Sequence, residues 1–261
     1  MAIDFSSLAS SNNVISIIIF LIFMIVLFIV FLRVGTAFLS YLFSLNGHVK
    51  LINGLVTSNS QTVISQDPAM NGSVLVERST NQKGGIEFTW SVWCFFNTVT
   101  TTQLYNNIFT KGTNDFDESG IAKVNCPGLY ITNVGELCVV INTFTELNKI
   151  ITIPNIPMSN WVQVVMTCQD KTFNVYLNGI LIKSVILMGV VNQNYGDVYI
   201  GANNGFTGYI SNLWYWNKCL SALEIQKLYS SGPNTRSADA NMNDFKNIPK
   251  SNYLALSYYM Q

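Results

Sequence analysis

The run from Val14 to Leu32, "VISIIIFLIFMIVLFIVFL", holds one polar residue, Ser16, and no charge. Such a stretch has few ways to fold. At ~1.5 Å rise per residue, about 19 residues make a helix of roughly 28 Å, close to the ~30 Å hydrocarbon core of a bilayer. A helix that is apolar on every face is not a surface helix of a globular domain. A secretory signal would show a basic leading region, a shorter apolar run and a small-residue cleavage site. Residues 1–12 contain no Lys or Arg, and no A-x-A pattern follows the run. The stretch reads as a permanent anchor from Val14 to Leu32. Arg33 snorkels at its end, and Tyr41 and Phe43 supply interfacial rings.

Orientation follows from charge. The N-terminal flank carries only Asp4, whereas Arg33 and Lys50 lie on the C-terminal flank with His48 nearby. The positive-inside rule places that flank in the cytosol. The cysteines agree. Cys94, Cys126, Cys138, Cys168 and Cys219 are odd in number and form no C-x-x-C, so neither a disulfide framework nor a zinc site is expected. Unpaired thiols suit a reducing compartment. One sequon, Asn71-Gly72-Ser73, points the other way.

The rest of the chain divides into a short leading segment (1–12), anchor and juxtamembrane extension (13–45), one sandwich-type domain (46–230) and a tail (231–261). The net charge is zero with 11% charged residues and no basic stripe, so nucleic acid is not an expected partner.

The periodicity past residue 45 is that of strands. In "IEFTWSVWCFF" the even positions Ile86, Phe88, Trp90, Val92, Cys94 and Phe96 are apolar, against Glu87, Thr89 and Ser91. One buried face is expected. "WVQVVMTCQ" repeats the pattern, and "TFNVYLN" reverses it after Asp170-Lys171. Asn178-Gly179 between two apolar runs is a strong hairpin signal, because both residues tolerate positive φ. "GLYIT", "ELCVVINTF", "KIITI", "DVYIG" and "GYISNLWYW" add further candidates. Many short strands with turns between them predict a mainly β antiparallel sandwich. One short helix is predicted in "CLSALEIQKLY", where Ser221 and Glu224 have capping-box spacing and Gly232-Pro233 ends the pattern. It is expected to pack against a sheet edge.

These pieces, in this order, resemble the laminin-G-like branch of the concanavalin A-like lectin/glucanase superfamily. The matching positions are Trp161, Tyr176, Asn178, Gly179, Ile200, Gly201, Phe206, Gly208, Ile210, Leu220, Ser221, Glu224 and Ile225. The resemblance implies a concanavalin A-like jelly-roll β-sandwich; these are packing and turn positions and carry no chemistry. A span, such a sandwich, unpaired cysteines, an Asn/Ile-rich composition and the "GPN…IPKSNYLALSYY" tail are together similar to membrane-anchored minor capsid proteins of large nucleocytoplasmic DNA viruses. That resemblance implies a structural virion protein in the inner viral membrane beneath the capsid. Its partners would be the bilayer, the major capsid protein and other minor capsid proteins, with the C-terminal domain on the cytosol-derived face.

Catalysis is not expected. Glucanases of the superfamily place paired carboxylates on one strand, and no Glu-x-Asp-x-Glu occurs here. Asp115, Asp117 and Glu118 in "NDFDESG" read as a solvated acidic turn, with a Ca²⁺ site as the alternative. No other cofactor is expected. The only histidine, His48, lies next to the membrane-spanning stretch, so no Ser-His or Cys-His arrangement is expected. Trp214 and Trp216 read as sheet packing, with sugar stacking as the alternative. Trp93 and Phe95 sit on the non-core parity and are expected to form an exposed pair for a protein or glycan contact. A membrane-anchored glycan-binding module is therefore the competing reading. In the tail, "NYLALSYY" (252–259) alternates like a strand from Tyr253 to Tyr259 and is expected to pair antiparallel with Val49–Val56, after a polar connector.

Overall fold

The computed structural model describes residues 14–43, 48–79, 85–99 and 103–238. The N-terminal apolar stretch is one unbroken helix, α1 (Val14–Phe43, 30 residues). It runs past Arg33, whose carbonyl accepts the Thr36 hydroxyl at 3.0 Å. Its section Ile17–Thr36 is long and apolar enough to cross a membrane, and no part of that section is buried in protein. The helix and the domain that follows are separate compact units.

Thirteen strands are described: β1 (His48–Lys50), β2 (Leu55–Thr57), β3 (Thr62–Ile64), β4 (Glu87–Thr98), β5 (Tyr105–Gly112), β6 (Asn125–Thr132), β7 (Leu137–Ile141), β8 (Lys149–Ile153), β9 (Trp161–Gln169), β10 (Thr172–Leu177), β11 (Ile180–Ile186), β12 (Asp197–Ile200) and β13 (Thr207–Trp216). They form two antiparallel sheets. The larger runs β1-β13-β4-β9-β10-β11, with β2 also on β13, and the smaller runs β3-β12-β5-β6-β7-β8. The strand alternation expected for β4 holds on the inner side. Phe88, Trp90, Val92, Cys94 and Phe96 are buried between the sheets. Trp90 lies 5.3 Å from Phe109 of the opposite sheet and 4.9 Å from Tyr215 (ring centroids). Cys94 and Cys168 are buried there too. Their desolvation raises both thiol pKa values, so they behave as small apolar side chains.

The outer side of β4 departs from expectation, because Thr89, Ser91 and Trp93 are buried as well. The cause is α2 (Ala222–Ser231), which lies across the face of the larger sheet, not at its edge. Its Ile225, with Leu228, packs on Val165, Trp216 and Leu220. The Tyr229 ring stacks on Trp93 at 5.8 Å. Ser221 caps the helix with Glu224 in a reciprocal capping box, as the spacing predicts. The β10–β11 hairpin turns on Asn178 (φ 51) and Gly179 (φ 78). The positive φ favours glycine at 179, and a Cβ there would also displace the tip of the Gln226 side chain of α2.

The start of the tail is not a free connector. Asn234 exchanges hydrogen bonds with Ser211, the Leu55 amide donates to the Arg236 carbonyl at 2.7 Å, and Ala238 is buried in the core. The sandwich therefore extends at least eight positions beyond 230, to Ala238. The expected terminal strand 253–259 lies outside the described residues. Its expected partner, Val49–Val56, is bonded along one side to β13.

Candidate functional site

The acidic turn lies over the outer face of the smaller sheet, where Ile121 and Phe116 pack with Tyr130 and Val140. Its carboxylates do not converge. Asp115 pairs with Lys123 at 2.7 Å, while Asp117 Oδ1 accepts from the Ser119 amide (3.0 Å), the Ser119 hydroxyl (2.6 Å) and the Ile121 amide (2.9 Å). Partial burial opposes the charge, but these hydrogen bonds outweigh it and hold the Asp117 carboxyl below its ordinary value. Glu118 is exposed. Asp117 thus organises its own loop. Among the described residues, no three His, Cys, Asp or Glu side chains are grouped to hold a metal ion. Asp197 accepts the Gln66 amide at 2.8 Å and fixes the entry to β12.

A small cavity of about 10 Å³ opens beside Lys111, Cys126, Glu77 and Tyr215. It has room for about one water molecule and none for an organic substrate. The Lys111 amine, 4% exposed, donates to the carbonyls of Asn194 (3.0 Å) and Gly196. Desolvation lowers its pKa to about 8, against the opposing influence of Cys126 and Asp197. Burial pushes the Cys126 thiol up to about 12, so the neighbouring lysine does not make it a thiolate nucleophile.

The aromatic residues separate into two groups. Trp93 is only 5% exposed and lies under Tyr229, which corrects its expected place in an exposed pair; α2 covers the face on which it stands. Trp216 is buried too, stacked at 6.0 Å on His48. Burial first, and Lys50 second, lower the His48 pKa, which favours a neutral ring. Trp214 is half-buried with the Lys50 amine 4.9 Å above its ring.

Phe95 alone of the expected contact pair reaches solvent in part, and it has company that sequence reading did not assemble. Register places Phe95 directly opposite Trp161 on β9 and Tyr209 on β13. The ring centroids lie 5.5 Å and 6.3 Å from Phe95. All three are half-buried. Trp161 reads from the sequence as a fold landmark and Tyr209 draws no notice there; only the shared row across three strands shows them as one surface. This row lies toward the end of β4 remote from Glu87. The chain enters at the other end, where His48 faces Trp216 and Trp216 faces Thr89. A half-exposed aromatic trio can stack a flat apolar partner or a sugar ring.

Comparison with known proteins agrees with the fold. A laminin G profile described as the concanavalin A-like lectin/glucanases superfamily matches residues 68–226. Among solved structures, the receptor binding domain of botulinum neurotoxin C/D mosaic serotype is similar at 16% identity over 56% of this chain and 36% of that one, with a TM-score of 0.45. The receptor binding domain of botulinum neurotoxin type G is similar at 14% identity over 71% and 51%, also with a TM-score of 0.45. The chain thus spans 36% and 51% of the lengths of these two structures. No curated protein matches.

Proposed function

We propose, from the premise that the chain belongs to the concanavalin A-like lectin/glucanases superfamily, that it is a membrane-anchored, non-catalytic binding protein whose sandwich acts as a two-ended spacer. The observation that carries this reading is the polarity of the larger sheet. The chain arrives from α1 at the His48 end, and the Phe95–Trp161–Tyr209 row stands toward the opposite end. Five free cysteines and the Arg33/Lys50 flank support a cytosol-facing sandwich. The two carboxylates that a glucanase needs have no counterpart in the acidic turn, where Asp115 and Asp117 are each engaged in a local contact.

In its specific form the proposal is a minor capsid protein that links the inner membrane of a large DNA virus to its shell, with the aromatic row against the shell protein. A photo-cross-linking residue in place of Phe95, in the full chain within particles, is expected to capture a shell protein. Capture of nothing but lipid, or absence of the chain from purified particles, would overturn the assignment. The aromatic row also favours a second reading, a glycan-binding module. That reading requires binding to an immobilised glycan that is lost in Trp161→Ala, with no shell protein captured from position 95.

A further inference from the structure

The end of the sandwich at which the chain arrives carries a second surface that neither the fold nor the aromatic row explains. Five large side chains there stand in solvent: Phe144, Leu147, Ile186, Met188 and Tyr195 are between 65% and 81% exposed. They belong to different segments drawn together by backbone hydrogen bonds. The loop after β7 is tied to the loop after β11 by the Phe144 amide on the Val190 carbonyl (3.0 Å) and by a bridge between Thr143 and Val191. Gly189 lets them approach, since a Cβ there would lie 2.3 Å from the Thr145 hydroxyl. The Leu187 amide on the Lys171 carbonyl (2.8 Å) fixes the second loop to the β9–β10 turn. Ile186 pairs with Thr172, Thr172 with Gln169 and Gln169 with Glu87, one row across the sheet. His48 stands two residues along from that row by way of Trp216 and Thr89, on β1 at the opposite edge of the same sheet end.

We propose that these loop tips enter the surface of the lipid bilayer spanned by α1, giving the sandwich a membrane contact of its own. The inference rests on reading α1 as a span. Three features select a bilayer over a protein partner. Only positions 44–47 separate Phe43 of α1 from His48, and the five Cα steps between them span at most about 18 Å, a short tether to this end of the sandwich. Four of the five apolar groups project from loops and Ile186 ends the edge strand β11, an arrangement that suits shallow insertion between headgroups. The polar groups around them suit the headgroup layer. The Tyr195 hydroxyl accepts from Arg78 at 2.7 Å with the guanidinium 5.2 Å from the ring centre, and Lys171 is exposed nearby. Glu146 and Lys149 neutralise each other at 3.2 Å, which leaves the rim free of an unopposed acidic group at the Leu147 loop. Apolar insertion, more than attraction to anionic lipid, is what this surface offers.

The test uses the full chain in nanodiscs with Cys219→Ser, which removes the one partly exposed native thiol. A nitroxide is placed in turn at Met188→Cys, Leu147→Cys, Val134→Cys and Leu27→Cys. Val134, in the β6–β7 turn, is exposed and away from the proposed contact. Leu27 lies within α1 and reports the span independently. Collision with oxygen is expected to exceed collision with a water-soluble nickel complex at 188 and 147, in neutral and in anionic nanodiscs alike, while 134 shows the reverse. Aqueous accessibility at both 188 and 147, with a lipid-buried signal at 27, would overturn the proposal and leave the anchor standing. Low collision with both reagents at 188 and 147 would mean a protein–protein contact and would also overturn it. An aqueous signal at 27 would refute the anchor itself.

Discussion

Trp93 and Phe95 differ by two positions on one strand and share its outer parity, yet they do different things. Trp93 is sealed by Tyr229 of α2, so Trp93→Ala leaves a cavity and is expected to cost about 3–5 kcal/mol. Phe95 is half-exposed, and Phe95→Ala should cost roughly 1–2 kcal/mol. Thermal or denaturant unfolding of the full chain in detergent checks both, and equal losses would contradict the assigned packing. Lys111 supplies a pH-dependent counterpart. Its amine holds a proton less tightly when folded (about 8) than at its ordinary 10.5. Between those values the unfolded state binds more protons, so this residue makes stability rise with pH. Below about pH 8 the full cost of burying the charge is present, and above about 10.5 it is gone; the gap corresponds to roughly 3 kcal/mol. Stability of the wild-type chain minus that of Lys111→Met should therefore climb across pH 8–10.5. A flat difference would mean that the amine is not desolvated.

At the scale of elements, α2 decides how the larger sheet meets solvent. Its cap joins Ser221 to Glu224, and Lys218 pairs with Glu224 at 2.8 Å. The Lys218 contact first, and Ser221 next, depress the Glu224 pKa to about 2. A depressed carboxyl pKa stabilises above its unfolded value of 4.5 and loses that effect as pH falls toward 2. Ser221→Ala is expected to cost about 1 kcal/mol, and the difference between variant and parent should shrink on acidification through that window. This helix also marks how far the sequence could be read. The capping box, the Asn178-Gly179 turn and the inner parity of β4 rest on neighbours within a few positions, and each was legible. The burial of Trp93 depends on a helix more than a hundred positions later folding back over β4. The Phe95–Trp161–Tyr209 row depends on the register of three strands distant in sequence. Parity says which face a side chain occupies, but not which long-range element covers that face. The docking of Asn234–Ala238 escaped for a related reason: its bonds go to backbone groups of β2 and to Ser211, and polar composition carries no trace of such partners.

For the whole molecule, the account joins two units through a short stretch of chain. One is a helix whose section Ile17–Thr36 is long and apolar enough to cross a membrane, and the other is a sandwich with five free cysteines. Under the proposed function the first is read as spanning lipid and the second as facing a reducing space. Together they make the central claim that α1 is a retained anchor with residues 48–261 on the cytosolic side. The most direct measurement is synthesis of the full chain with intact microsomes, followed by protease without detergent and by mass analysis of the membrane pellet. The account predicts a full-mass chain that resists carbonate extraction, a sandwich digested by the added protease and Asn71 without glycan. A chain shortened at its N-terminus, or a protected sandwich glycosylated at Asn71, would contradict it.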